Sequence, residues 1–239
     1  MMTLVSMWSY GSHQPRYRAG VSRQFYSGRQ SMETLVVLVL DESGSMASVK
    51  NETISGVNEY IDSLRKTESI VKSADGKIIY TQVNFNGAGI NTIYNHLPIE
   101  EVTGLTPFNY NPSAATPLYD AIGKTIADVD TYISTFKSKH KKVPSVLFVV
   151  MTDGLENVSR NFTKAGIQNL IKTRTRKWTF VYLGANQDAW SVGGGLGFPD
   201  ANNYTYSTHE MKETFRTLAG STGAYVANSS KQTGTFWDK

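Results

Sequence analysis

The sequence predicts a three-layer α/β fold in which a mostly parallel sheet, with one antiparallel edge strand, carries helices on both faces. Three observations predict it. Short apolar runs alternate with helix-length amphipathic segments from Thr34 onward, the pattern of βα units. Leu35 to Leu40 and Val146 to Met151 are apolar without interruption, as strands covered on both faces require. The turn signal Asn86-Gly87-Ala88-Gly89 joins two strand-like runs, which pairs them antiparallel and puts the second at an edge.

Residues 1–31 show no apolar period and hold Arg16, Arg18, Arg23 and Arg29 with no Lys, Asp or Glu. They read as a basic N-terminal arm, extended or ordered on a partner, with Tyr10, Tyr17, Phe25 and Tyr26 among the arginines. The whole chain has 24 basic and 20 acidic residues, so residues 32–239 are neutral. A nucleic-acid face built on net charge is therefore not expected. The folded domain is expected over 32–227 and a C-terminal tail over 228–239.

Within the domain, Leu35 to Leu40 should be the central strand. Ala47 to Lys66 carries Val49, Val57, Ile61 and Leu64 near helical spacing, with Ser45 or Ser48 available as its cap. Ile78 to Phe85 and Ile90 to His96 form the hairpin. Pro117 to Lys139 repeats Leu118, Ile122, Ile126, Val129, Ile133 and Phe136 along one face, with Thr116 as cap and Pro117 in the first turn. There follow the strand Val146 to Met151, a helix over Phe162 to Thr173 and a strand over Trp178 to Leu183. A short helix after Gly184, a strand near Tyr204 to Tyr206 and a helix near His209 to Leu218 complete the unit. The glycine-rich Gly193 to Gly197 neither follows a strand nor opens a helix, so it reads as a loop rather than a phosphate cradle.

Composition removes several function classes. With no cysteine, disulfides and thiolate metal sites are excluded. His13, His96, His140 and His209 form no i, i+4 pair that would suggest a zinc helix. The apolar runs are far shorter than the 18 or so residues of a membrane helix. No secretory signal is seen, which predicts a cytoplasmic protein, or a virion component if the source is a phage. The basic runs Lys137 to Lys142 and Arg174, Arg176 and Lys177 fall near helix ends and read as solvated faces.

Three polar clusters stand where strands or long loops meet helix starts: Asp41-Glu42-Ser43-Gly44-Ser45, Ala115-Thr116-Pro117 and Thr152-Asp153-Gly154. The loops at the carboxyl ends of a parallel sheet meet in one crevice, so these clusters should converge. Taken singly, Ser43, Ser45 and Thr116 would be caps or turn residues and Asp153-Gly154 a turn. Taken together, two carboxylates and three hydroxyls make an all-oxygen donor set suited to a small hard cation such as Mg²⁺, with Mn²⁺ or Ca²⁺ as alternatives. Glu42 and Glu156 flank the set as loop charges.

Asp41-x-Ser43-x-Ser45 after an apolar strand, Thr116-Pro117-Leu118-Tyr119-Asp120-Ala121 opening a helix and Thr152-Asp153-Gly154 closing a strand resemble the metal-ion-dependent adhesion site of von Willebrand factor type A domains. The resemblance spans roughly Thr34 to Ala227. It implies the Rossmann-like fold of that family, direct coordination of a divalent cation by Ser43, Ser45 and Thr116, and Asp41 and Asp153 acting mostly through water. It also implies a function: capture of an Asp or Glu presented by a partner protein, which completes the coordination sphere. Gly184-Ala185-Asn186-Gln187-Asp188-Ala189 is similar to a stretch in bacterial and phage members.

A non-enzymatic binding module is thus the leading expectation, since no histidine, cysteine or Gly-x-Ser-x-Gly elbow accompanies the clusters. The alternative is a structural or assembly protein that binds another subunit through residues 1–31, with the metal incidental. A phosphoaspartate-type hydrolase would use Asp41 as nucleophile, but it calls for an Asp where this chain has Ser43.

Overall fold

In the computed structural model, residues 32–72, 76–139, 143–185, 189–228 and 235–237 are described, and the predicted arm and most of the predicted tail lie outside them. Strands β1 (Met32–Asp41), β2 (Gly76–Asn86), β3 (Gly89–Pro98), β4 (Ser145–Thr152), β5 (Trp178–Ala185) and β6 (Asn203–Tyr206) form one sheet in the order β3-β2-β1-β4-β5-β6. All neighbours are parallel except β2 and β3, so the hairpin predicted from Asn86 to Gly89 supplies the one antiparallel edge.

Strand β1 lies inside the sheet, and Leu35 to Leu40 are fully buried. Its alternation divides the core. Val36, Leu38 and Leu40 face the layer formed by α1 (Lys50–Val71) and, later in the chain, α5 (Met211–Ala227). Leu35, Val37 and Val39 face the opposite layer, formed by α2 (Leu118–Lys139), α3 (Lys164–Lys172) and α4 (Ala189–Gly195). This is the three-layer arrangement the sequence predicts.

Several elements differ from expectation for identifiable reasons. The first helix is preceded by a 3-10 turn over Gly44–Val49, and neither Ser45 nor Ser48 caps it; the N-cap is Val49, without a side-chain bond. At its other end α1 runs past Lys66 to Val71, with Glu68 buried and accepting the Ile78 N–H at 2.7 Å. Helix α5 continues to Ala227 through Ala-Gly-Ser-Thr-Gly, a stretch that looks like a helix breaker. Its small residues allow close approach to α1, where the Thr222 and Tyr60 hydroxyls meet at 3.0 Å.

Gly193 to Gly195 are helical rather than a loop, and a side chain at Gly193 would meet Asn203 Oδ1 at 2.3 Å. The glycine is needed for packing, not for a ligand. Arg174, read as part of a solvated face, pairs with the Asp130 carboxylate and lies over the Trp178 ring. Near the C-terminus Phe236 is buried against Tyr225, and its N–H reaches Asn202 Oδ1 at 2.8 Å. Among the described residues no helix is long and apolar enough to cross a membrane.

Candidate metal centre

Because β1 and β4 are adjacent and parallel, with Leu40 opposite Met151, Asp41 and the Thr152-Asp153 pair leave the same edge of the sheet side by side. The strand ends need no other device to bring them together. The fully buried Asp41 accepts the Ser43 N–H at 2.7 Å on Oδ1 and the Thr152 hydroxyl on Oδ2. The first bond curls the chain so that Ser43 and Ser45 face one point, their hydroxyls 3.0 Å apart. Ser45 then donates to Asp153 Oδ1 at 2.6 Å, which closes a chain across 108 residues of sequence.

Thr116 completes the set. A Cβ placed on Gly154 would lie 3.0 Å from Thr116 Oγ1 and 3.6 Å from Asp41 Oδ2, so both oxygens line the hollow beneath that glycine. Asp41, Ser43, Ser45, Thr116 and Asp153 are thereby brought to one place. Asp41, Ser43 and Thr116 form its buried floor, whereas Ser45 is exposed and Asp153 half-buried at its mouth.

The serine and threonine hydroxyls are not caps. Ser43 occupies the N-cap position of the 3-10 turn yet makes no side-chain cap bond. The first turn of α2 is capped from another loop: Glu156 Oε2 accepts the Tyr119 N–H at 2.9 Å and Ser159 Oγ the Asp120 N–H at 3.0 Å. Thr116 is relieved of the role its sequence position suggests, and its hydroxyl faces the hollow instead.

Glu156 is correspondingly a staple rather than a free loop charge, since it also accepts N–H bonds from Val158 and Ser159. Glu42 is buried too, and it takes the Asn111 N–H. Two residues to which the sequence analysis gives no role brace the site. The Tyr110 hydroxyl donates to the Asp41 carbonyl at 2.8 Å, and Asp120 accepts the N–H groups of Arg160, Asn161 and Phe162 at 2.8 to 2.9 Å. The signal for Asp120 was present in the acid at the first turn of a helix, though its partners were not.

Burial pushes the carboxyl of Asp41 above its usual range, against the bonds from Thr152 and Ser43, and the neighbouring Asp153 adds to the rise. Burial also raises Asp153, opposed by the Ser45 hydroxyl. Two desolvated carboxylates side by side, three hydroxyls turned inward and a hollow that a single methyl would enter fit a small hard cation. Among the described residues no three His, Asp or Glu side chains gather as a metal cluster, so the donor set rests on hydroxyls as much as on carboxylates.

Solved structures share this architecture. Proximal thread matrix protein 1 from the mussel byssus, in a form with a zinc-occupied MIDAS motif, superposes with a TM-score of 0.55 at 14% identity, over 79% of this chain and 48% of that one. The vWF domain of the type V pili tip protein Mfa5 from Porphyromonas gingivalis gives 0.54 at 9% identity, over 82% and 97%. The pilus adhesin SpaC from Lactobacillus rhamnosus GG, in its open conformation, gives 0.57 at 12% identity, over 82% and 30%. The chain has the von Willebrand factor type A fold, and it spans about half the length of the mussel protein it matches (48%). At the level of sequence, no protein-family model and no curated protein matches it.

Proposed function

We propose that this protein is a non-enzymatic binding module that holds one divalent cation, Mg²⁺ in the first instance, and uses it to capture an Asp or Glu side chain of a partner protein. The observation that carries this reading is the convergence of Asp41, Ser43, Ser45, Thr116 and Asp153 around one hollow. Ser43, Ser45 and Thr116 would hold the ion directly, and Asp41 and Asp153 would orient its hydration. Such a cation, neutralised by only two carboxylates, keeps electrophilicity for an outside carboxylate.

Three further observations support it. A structural neighbour holds zinc in its MIDAS, and others are pilus proteins. Exposed apolar side chains stand on loops at the same edge, Phe108 at 97% and Leu155 at 60% exposure, which suits a protein surface better than a small substrate. Asp41 is enclosed and both its oxygens are engaged, which suits a positioning group better than the nucleophile of a phosphoaspartate enzyme.

The test is partner capture from a native lysate. Capture should be lost in excess EDTA, return with Mg²⁺, and be absent from the Asp41→Ala, Ser43→Ala double mutant. Capture that persists unchanged through all three treatments rejects the reading. Deleting residues 1–31 in parallel separates any contribution of the basic arm.

A further inference from the structure

Tyr206 is the last residue of β6, 3% exposed, and its hydroxyl is buried without a hydrogen-bond partner among the described residues. A phenol enclosed in this way loses its water and gains nothing from the protein, so the unpaired group requires an explanation. Its place in the sheet supplies one. Tyr206 stands opposite Ala185 on β5, and Thr152 on β4 stands opposite Gly184, so Asp153 and Tyr206 lie on either side of Ala185 at the same edge. Ala185 and Tyr206 share the face that packs on α1 and α5. A residue as small as alanine between them leaves the ring room to reach across toward Asp153.

The electrostatics agree with this placement. After burial itself, the influences that raise the Tyr206 phenol are Asp153 first, then Tyr110, Asp41 and Tyr182. The Tyr110 hydroxyl nearby is already committed to the Asp41 carbonyl. Among the described residues, the Tyr110 phenol is thus paired and the Tyr206 phenol is not.

We infer that Tyr206 is a further positioning residue of the cation site, whose hydroxyl donates to the hydration of the bound ion on the Asp153 side. The donor has no partner among the described residues because its partner arrives with the metal. The inference rests on the cation-binding reading above and adds to it a residue from a strand that carries none of the three motifs.

The experiment compares Tyr206→Phe with the parent chain in two measurements: Mg²⁺ affinity by calorimetry and the melting temperature of the metal-free chain. Removing an unpartnered hydroxyl while keeping the ring should leave the metal-free melting temperature unchanged or slightly raised. Mg²⁺ affinity should fall roughly tenfold, as for other groups that orient metal ligands. Tyr110→Phe serves as the contrast, because it breaks an existing bond and should lower the metal-free melting temperature. Equal Mg²⁺ affinity in Tyr206→Phe and the parent overturns this inference alone, as does a loss of metal-free stability matching that of Tyr110→Phe. Failure of the parent to bind any of Mg²⁺, Mn²⁺ and Ca²⁺ overturns the cation reading itself and this inference with it.

Discussion

Asp120 stands four residues beyond Thr116 and contacts no expected metal ligand, yet it determines how the Asp153 loop returns to the body. Burial alone would raise its carboxyl, but the N–H groups of Arg160, Phe162 and Asn161 and the Asn161 amide outweigh that and hold it below its usual range. A folded-state value below the unfolded one contributes stability above the unfolded pKa, and that contribution is lost as pH falls through the folded value. Asp120→Asn should therefore cost about 1–3 kcal/mol at neutral pH, since an amide nitrogen would face donors. Urea unfolding at pH 7 and at pH 3 checks this, with the gap between mutant and parent shrinking at the lower pH. Gly154 carries the second prediction at this scale. A methyl there would enter the hollow between Thr116 Oγ1 and Asp41 Oδ2, so Gly154→Ala should weaken Mg²⁺ binding by about an order of magnitude or more. The same mutant should still unfold cooperatively, because the methyl meets the site and not the core.

Two helical glycines show how differently one residue type serves an element. In α1, a Cβ on Gly56 would lie 2.2 Å from Phe215 Cδ2 and 3.0 Å from its Cγ, so the glycine sets the distance between α1 and α5. In α5, a Cβ on Gly220 meets nothing within 4 Å. Gly220→Ala should stabilise by up to about 1 kcal/mol through helix propensity alone. Gly56→Ala gains the same propensity but overpacks a buried ring, at about 1–3 kcal/mol, and should destabilise overall. Paired thermal melts decide the signs. The contrast also explains which elements were legible in the sequence. Strand β1 and helix α2 follow from periodicity because their own residues define their buried faces. The full length of α5 and the helical state of Gly193 to Gly195 do not, because small residues there answer to a neighbouring element, Tyr60 on α1 or Asn203 on β6.

At the scale of the whole molecule, the site exists because strand order makes distant loops adjacent. The Thr152 to Asp41 bond spans 111 residues and the Ser45 to Asp153 bond 108. The clusters could be recognised in the sequence since each has a local pattern of its own. The residues that hold them, Glu156 under Tyr119 and Tyr110 under Asp41, belong to no local pattern and emerge only from the packing, as does the place of Tyr206 beyond Ala185. On the cation reading proposed above, an ion in the hollow would offset the desolvation of the two enclosed carboxylates, so occupancy and folding would be linked. At a Mg²⁺ concentration of about 100 times its Kd the fold should gain about 2.7 kcal/mol. For a chain of this size that corresponds to a rise of roughly 5–10 °C in melting temperature. EDTA should reverse the rise, and Asp41→Asn should abolish it, as differential scanning calorimetry with and without Mg²⁺ would show. A rise of the same size in Asp41→Asn would place the ion elsewhere on the molecule and separate stabilisation by Mg²⁺ from this hollow.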